Sequence, residues 1–232
     1  MHVWGDSEVL SLWEAASRVA PLDRGLLTLA TALETSRAAL EQWPIGRFNR
    51  ALLEVFTDCF GPGLQGVVNC AGCGDMLEVA LNARELAAGP TGSADVIEFC
   101  GHAFRLPNTG DLISIAGEAE PRAAGQHLAE RCRIGTGGSV EWDESALESL
   151  GERLAQADPL AEIQIHLRCP QCGAEQNEVF DVVTFMWAQI DARARRLIAE
   201  VHTLAREYGW SEREVLDLSE VRRALYLELA QS

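Results

Sequence analysis

Hydrophobic residues recur at helical spacing near the start of the chain. The pattern predicts one helix over about residues 6–20, a second from Gly25 to Gln42 and a third from about Arg47 to Phe60. Gly61-Pro62-Gly63 then interrupts the helical pattern. Residues 1–62 are therefore predicted to form an N-terminal helical region.

The end of the chain carries the most regular pattern. A helix is predicted from about Val183 to Tyr208, because apolar residues follow one another at intervals of 4, 3, 4, 3 and 4 positions. This heptad seam is too short for a free coiled coil, so we expect it to pack on the N-terminal helices. Ser211 with Glu214 forms a capping box for the next helix, and residues 184–232 are predicted to form a C-terminal helical hairpin. The seam consists of Ile190, Ala194, Leu197, Val201, Leu204 and Tyr208, and a last helix beginning at Ser219 has Val221, Leu225 and Leu229 on one stripe.

Alternating apolar and polar residues predict short strands on both sides of two cysteine pairs. Between the pairs, the pattern predicts a strand from Val96 to Phe104, a short helix through Ala116 capped by Asn108 or Thr109, and helices over Ala123–Cys132 and Glu144–Ala157. Gly135-Thr136-Gly137-Gly138 is predicted to be a flexible turn. The strands that flank the pairs contain Val67 and Val68, then Leu77, Val79 and Leu81, and later Ile163, Ile165, Leu167 and Glu178 to Phe180.

The two cysteine pairs have the same form, CxxCG. The first knuckle is Cys70-Ala71-Gly72-Cys73-Gly74 and the second knuckle is Cys169-Pro170-Gln171-Cys172-Gly173. Two intervening residues allow a tight turn to direct both sulfurs at one ion, and the following glycine can adopt a positive φ that brings backbone N–H groups near the sulfurs. Cys70, Cys73, Cys169 and Cys172 thus supply the four thiolates of a structural Zn²⁺ site. Four protein thiolates leave no position for water, which argues against a catalytic zinc.

The spacing of the knuckles departs from that of a compact zinc ribbon. Residues 74–168 separate them, a gap of 95 positions, whereas the compact pattern has about 15–20. We therefore predict an α+β fold in which residues 63–183 form a zinc ribbon with a long α/β insertion over about residues 93–160. The N-terminal helices and the C-terminal helical hairpin flank this ribbon.

Composition and charge limit the possible functions. The chain has 232 residues and a formal charge of −16, without a single lysine. Residues 186–232 contain eight acidic residues and seven arginines, a net charge of −1, so the remaining −15 lies in residues 1–185. A net charge this negative repels phosphate backbones, which argues against general nucleic-acid binding. It suits a basic protein partner.

The cysteine count and the apolar runs bear on the compartment. Seven cysteines, four of them in the knuckles, fit a reducing compartment better than a disulfide framework, so we expect a cytoplasmic protein. No apolar run approaches the length of a transmembrane helix, and the first six residues lack the features of a signal peptide. We therefore expect no membrane insertion.

Several further residues have two interpretations each. Cys100 and His102, with Cys132, offer a second metal site, but the residues favour the simpler interpretation, in which Cys100 lies on a buried strand face and Cys132 ends a helix. His166 either tunes the zinc or is an exposed strand residue.

Arg193, Arg195 and Arg196 form a basic cluster that would dock an acidic partner or lie on a solvated helix face. Tyr208 and Trp210 either anchor an interface or close a corner between helices.

Sequence motifs of catalysis are missing. The chain has no HExxH, GxSxG, phosphate-loop or dinucleotide-binding motif, and the glycine-rich turn lacks the lysine of a phosphate loop. Two other classes remain open on the residues alone. A zinc-ribbon protein that binds nucleic acid or takes part in transcription is one, and a thiol-redox enzyme with metal-free CxxC pairs is the other.

The segment from Trp187 to Leu229, which includes ARRLIAEVHTLAREYGWSEREVLDLSEVRRALYLELA, resembles the C-terminal segment of proteins encoded beside contractile phage tails and extracellular contractile injection systems. The chain is similar to the family known as baseplate hub assembly chaperones. Further points of resemblance are Pro44-Ile45-Gly46-Arg47, both knuckles, and Phe104-Arg105-Leu106-Pro107 leading to Asp111-Leu112. The first knuckle departs from the family pattern, since it has Ala71 where proline is common.

The resemblance implies a non-enzymatic role in building or completing a contractile baseplate. The expected partner is a hub, spike or tube protein, and the expected location is the cytoplasm or a phage-tail-like particle. We expect the C-terminal helices, with Arg193, Arg195, Arg196, Tyr208 and Trp210, to form the partner surface.

Overall fold

A computed structural model of the chain describes residues 4–90, 92, 94–135 and 142–230. The described residues form eleven helices and seven strands, and the strands pair into three small antiparallel sheets. This arrangement confirms the predicted α+β class. The predicted glycine-rich turn at residues 135–138 lies outside the described residues except for Gly135, whose φ is +91°.

One large core unites the two ends of the chain. The first helices are α1 (Asp6–Ala16), α2 (Pro21–Leu33), α3 (Arg37–Leu40) and α4 (Ile45–Phe60), and the long C-terminal helix is α9 (Val182–Tyr208). Helix α9 packs against α1, α2 and α4, as the heptad seam predicts. Ile190, Ala194 and Leu197 are fully buried in this core, which also contains Phe48 and Leu52.

The second predicted helix, from Gly25 to Gln42, is wrong in its bounds. It consists of α2 and the short α3, which are separated by a turn in which Glu34 adopts φ +49° and caps α2 in the left-handed conformation. Ser36 then accepts a hydrogen bond from the backbone N–H of Ala39 and begins α3. Periodicity alone missed this break, because the cap residue is neither glycine nor proline.

Each knuckle lies at the turn of its own hairpin. The first connects β1 (Gly63–Asn69) to β2 (Met76–Asn82), and the second connects β6 (Gln164–Arg168) to β7 (Glu175–Val179). The two hairpins are separate two-stranded sheets. A short helix, α5 (Ala83–Ala87), leads from β2 back to α4.

The insertion between the hairpins has a small core of its own. Phe104, Ala129, Cys132 and Leu150 are buried in this cluster. The predicted strand from Val96 to Phe104 is wrong, because the chain turns back at Cys100 and Gly101, which both have positive φ. The elements of the insertion are β3 (Val96–Phe99), β4 (His102–Arg105), α6 (Thr109–Ile115), α7 (Pro121–Cys132), β5 (Arg133–Ile134) and α8 (Glu144–Ala157).

Two buried polar contacts fix the insertion to the helical body. The carboxylate of Asp158, which follows α8, accepts a hydrogen bond of 2.8 Å from the backbone N–H of Gly46 at the start of α4. The hydroxyl of Thr109 donates to the carbonyl of Leu40 at 3.0 Å. The N–H of Gly46 lies in the first turn of α4, where backbone N–H groups lack a partner within the helix, so Asp158 satisfies it. The carbonyl of Leu40 also accepts from the backbone N–H of Trp43 at 3.0 Å, so Thr109 adds a second hydrogen bond there.

The chain ends in two short helices, α10 (Glu212–Leu216) and α11 (Glu220–Ala230), which pack on α9. The predicted capping box of Ser211 and Glu214 is present at α10. The stripe of Val221, Leu225 and Leu229 on α11 faces solvent. Among the described residues, no helix combines the length and the apolar character needed to cross a membrane.

Candidate metal centre

The two knuckles meet, although they lie about a hundred residues apart in the sequence. The Sγ atoms of Cys70 and Cys172 are 3.6 Å apart, and those of Cys73 and Cys169 are 3.7 Å apart. All four sulfurs lie within 4.8 Å of one another. The structure therefore brings together the four cysteines that the sequence predicts to bind a metal.

The sulfur separations fit a tetrahedral ion. A metal–sulfur bond of about 2.3 Å at the centre of a regular tetrahedron places the sulfurs about 3.8 Å apart. The Cys70–Cys172 and Cys73–Cys169 separations, 3.6 and 3.7 Å, are close to that value and far from a disulfide bond of about 2.05 Å. Each close pair takes one sulfur from each knuckle, so an ion would tie the two hairpins together.

The backbone of each knuckle forms the same turn. The N–H of Cys70 donates to the carbonyl of Asp75 at 2.8 Å, and the N–H of Cys169 donates to that of Ala174 at 2.8 Å. Gly74 and Gly173 adopt φ values of +76° and +75°, the positive values that the CxxCG form predicts. Cys70 and Cys169, the first cysteine of each knuckle, are buried, whereas Cys73 and Cys172 are exposed.

Hydrogen bonds from backbone N–H groups and contacts between the sulfurs change the pKa values of the cysteines in the cluster. Hydrogen bonds from the backbone N–H groups of Cys73 and Gly72 lower the pKa of Cys70 to about 7. For Cys73, the backbone N–H of Asp75 favours the thiolate, but the neighbouring sulfurs of Cys172 and the other cysteines raise its pKa to about 12. Without a cation, repulsion among the sulfurs disfavours four thiolates at once. A bound metal ion would favour the thiolate form of all four cysteines.

Gln176 is a member of the site that sequence reasoning missed. From β7 its side-chain oxygen accepts a hydrogen bond of 2.8 Å from the backbone N–H of Ala71, and its side-chain nitrogen donates to the carbonyl of Asn69 at 3.2 Å. A polar residue a few positions after a knuckle is the only signal in the sequence, and it does not reveal the contact.

Gly72 and Ala174 also bring the knuckles into close approach. A Cβ atom added to Gly72 would lie 2.9 Å from the Cβ of Ala174 and 3.3 Å from the sulfur of Cys172. The first knuckle therefore requires glycine at this position because the second knuckle lies against it, not because of an unusual φ.

The second metal site proposed from Cys100, His102 and Cys132 does not form. Among the described residues, the four knuckle cysteines are the only group of three or more potential ligands close enough to hold an ion. Cys132 ends α7 and is completely buried, and desolvation raises its pKa to about 12. Cys100 is exposed in the turn between β3 and β4, so its expected burial on a strand face is wrong.

His166 lies on β6 and is exposed, which agrees with the simpler of its two interpretations. Its Nδ1 lies 2.9 Å from the side-chain oxygen of Asn177 on the paired strand, and its Nε2 lies 3.9 Å from a carboxylate oxygen of Glu175. Both contacts are made within the second hairpin, between β6 and β7.

The three arginines of the basic cluster have different environments. Arg193 faces inward and pairs with Asp6 of α1 at 2.7 Å. Arg195 pairs with Asp191 on its own helix, and Arg196 lies 3.8 Å from Glu200. The side chains of Arg195 and Arg196 are 70% and 60% exposed, so these two remain accessible to a partner.

Tyr208 and Trp210 close the corner between α9 and α11. Their rings stack at 4.9 Å, and the ring of Trp210 meets that of Tyr226 edge-on at 4.8 Å. Tyr208 is 38% exposed and Trp210 is partly buried. The aromatic residues thus have an intramolecular role as a helix corner.

Comparisons of this chain with family models, with curated proteins and with solved structures find no match.

Proposed function

We propose that this protein is a non-enzymatic structural or assembly component of a contractile tail or injection-system baseplate, where it binds a hub, spike or tube protein. Zn²⁺ held by Cys70, Cys73, Cys169 and Cys172 maintains the shape of the protein. The observation that carries the proposal is the convergence of four thiolates from two distant knuckles, combined with the resemblance of the knuckles and the C-terminal segment to baseplate proteins.

The donor set favours zinc in a structural role. Four thiolates in tetrahedral arrangement suit Zn²⁺ or iron, and they occupy every position on the ion, so that neither water nor substrate has access to it. The apolar cluster around the cysteines is small, consisting of Cys70, Leu77 and Cys169 with Ala174. Hairpins with so little buried surface are not stable alone, and a metal supplies the missing free energy.

The position of the ion suits a protein whose surface must keep one shape. Metal binding closes a loop of nearly a hundred residues that contains the whole insertion. For a disulfide, the restriction of the unfolded chain by a loop of about 100 residues contributes roughly 4.7 kcal/mol, and the same reasoning applies to a metal crosslink. The insertion and the helical body then present a fixed surface to a partner.

We place the partner surface on the C-terminal helices, with Arg193, Arg195, Arg196, Tyr208 and Trp210 in this region. This region is nearly neutral, whereas the rest of the chain carries a net charge of −15. A partner would meet little repulsion there, and the acidic body would attract basic groups at the edge of the contact.

Co-purification tests the proposal. The chain would be co-expressed with the hub, spike and tube proteins encoded beside it, and complexes would be measured by size-exclusion chromatography with light scattering. We expect a stable complex with one of the three that is lost in the R196A/W210A double variant, while R213A on α10 retains it. Circular dichroism would confirm that the double variant is folded.

The same material tests the nucleic-acid alternative. Band shifts with DNA and RNA would be measured at about 50 and 200 mM salt, because contacts to phosphates weaken steeply over this range. Tight, salt-sensitive binding of nucleic acid without a protein complex would contradict the baseplate proposal.

A further inference from the structure

The last helix, α11, presents its apolar side to solvent. Val221 is 72% exposed, Leu225 is 56% exposed and Leu229 is 65% exposed. Residues four positions apart lie one above the other on a helix, so the three side chains form a continuous stripe. An exposed apolar stripe on a helix is the type of surface through which an amphipathic helix docks into an apolar groove.

The opposite side of α11 is polar and is fixed to the body. Arg223 is almost completely buried, and its guanidinium pairs with Asp6 at 2.6 Å and with Glu200 at 2.7 Å. Tyr226, one turn further on, contacts the ring of Trp210 at 4.8 Å. Rotating the helix to bury the leucines would break both ion pairs, so the stripe is held in its outward position.

We propose that the stripe of Val221, Leu225 and Leu229 is a docking helix face that inserts into an apolar groove, bordered by basic residues, on a protein of different sequence. This inference rests on the proposed function, since it identifies the part of the C-terminal helices that makes the principal contact. Recognition of a helix by a groove uses apolar anchors at such intervals.

The size of the stripe argues against a second copy of this chain as the occupant. Three aliphatic side chains expose far less than the roughly 800 Å² per partner that a stable interface buries. Two α11 helices placed side by side would bury only these stripes, whereas the walls of a groove would also contact the exposed residues on either side of the stripe, such as Arg222 and Glu228.

The charge of the chain leads to the same choice. Two copies, each with a net charge of −16, repel one another. A groove bordered by lysine or arginine would instead be attracted by the net charge of the chain, and it could pair with Glu220 and Glu228, the exposed carboxylates of α11. We therefore assign a basic partner rather than an acidic one.

Isothermal titration calorimetry of the full chain with purified hub, spike and tube proteins tests the inference. The V221S/L225S variant is expected to bind the partner about 100-fold more weakly than the wild type, as loss of two buried anchors predicts. The matched control is V67S on β1, where the same residue type is 57% exposed outside α11. All variants should unfold at the same temperature, because the substituted side chains are exposed. Affinity should also fall as salt is raised, since the groove is bordered by basic residues.

Each outcome has a separate meaning. A wild-type complex that V221S/L225S forms equally well would overturn the docking face but leave the baseplate proposal standing. Binding of the wild type to none of the three proteins would overturn both. A dimer of the wild type that V221S/L225S abolishes, seen by sedimentation, would show that a second copy occupies the stripe and would refute the assigned partner.

Discussion

The side chain of Gln176 accepts a hydrogen bond of 2.8 Å from the backbone N–H of Ala71, which lies 105 residues earlier in the chain. The same amide donates to the carbonyl of Asn69 at 3.2 Å. The two knuckles are therefore joined by an amide bridge as well as by their sulfurs.

Replacing Gln176 by alanine should lower the free energy of unfolding by about 0.5–1.5 kcal/mol, because the hydrogen bonds to the N–H of Ala71 and the carbonyl of Asn69 are lost at a site that water can reach. Urea unfolding of the metal-loaded protein would measure the loss. The control is Q164A on β6, since the side chain of Gln164 donates a hydrogen bond to Glu162, two residues away in the chain. Equal stability of the two variants would contradict a bridging role.

Gly46 should be intolerant of any side chain. A Cβ atom there would lie 1.8 Å from the carboxylate of Asp158, so G46A should cost about 2–3 kcal/mol through displacement of that carboxylate. G151A on α8 is the matched control, because a Cβ at Gly151 meets open space and should stabilise the helix by about 0.5–1 kcal/mol. Thermal unfolding of G46A and G151A would measure the expected loss of stability in the first and the expected gain in the second. In a D158A background the penalty of G46A should shrink, and an unchanged penalty would argue against the clash.

Asp111 should make stability depend on pH in the acid range. Its carboxylate is completely buried, and although desolvation opposes ionisation, hydrogen bonds from Arg105 and from the backbone N–H of Asn108 lower its pKa below 3.8. A lowered pKa contributes stability above the unfolded value of 3.8 that is lost as the pH falls through the folded value.

The D111N variant tests this dependence. It should be destabilised by about 2–4 kcal/mol at pH 7, because it leaves two arginines without their carboxylate. The difference from the wild type should narrow as the pH falls below 3.8. D217N removes a carboxylate that is 72% exposed. It should change neither the stability at pH 7 nor the dependence of stability on pH. A difference between D111N and the wild type that is constant from pH 7 to pH 3 would contradict the assignment.

Arg223 should matter far more for stability than its neighbour Arg222. R223A leaves Asp6 and Glu200 without one partner in a largely buried site, so we expect a loss of about 3 kcal/mol. R222A removes an exposed side chain and should cost less than about 0.5 kcal/mol. Chemical unfolding of both variants measures the difference, and similar values for the two would mean that α11 is not anchored through Arg223.

The sequence predicted best those features that depend on local patterns. The heptad seam of α9, the capping box at Ser211 and the turns at Gly74 and Gly173 are all present, because each is determined by neighbouring residues. The four cysteines of the candidate metal site were identifiable for the same reason, since the CxxCG form is a local signal repeated twice. Their convergence followed from the chemistry of a tetrahedral ion.

Features that depend on distant contacts escaped prediction. Nothing near Gln176 indicates its contact with Ala71, and nothing near Gly46 reveals that Asp158 occupies the space where a side chain would be. The hairpin at Cys100 was missed because a non-glycine residue takes a positive φ there. On α11, the sequence shows the apolar stripe but not that Arg223 is the buried residue, because the two carboxylates that pair with Arg223 come from α1 and α9.

The measurement that tests the account most directly is the metal content of the purified chain by inductively coupled plasma mass spectrometry. The protein would be expressed with zinc and iron both available and purified under reducing conditions. We predict one Zn²⁺ per chain, none in a C70S/C172S variant, and full content in C100S, whose sulfur lies outside the cluster. Less than a tenth of an equivalent of any metal in the folded wild type would contradict the zinc-tied architecture and the assembly role inferred from it.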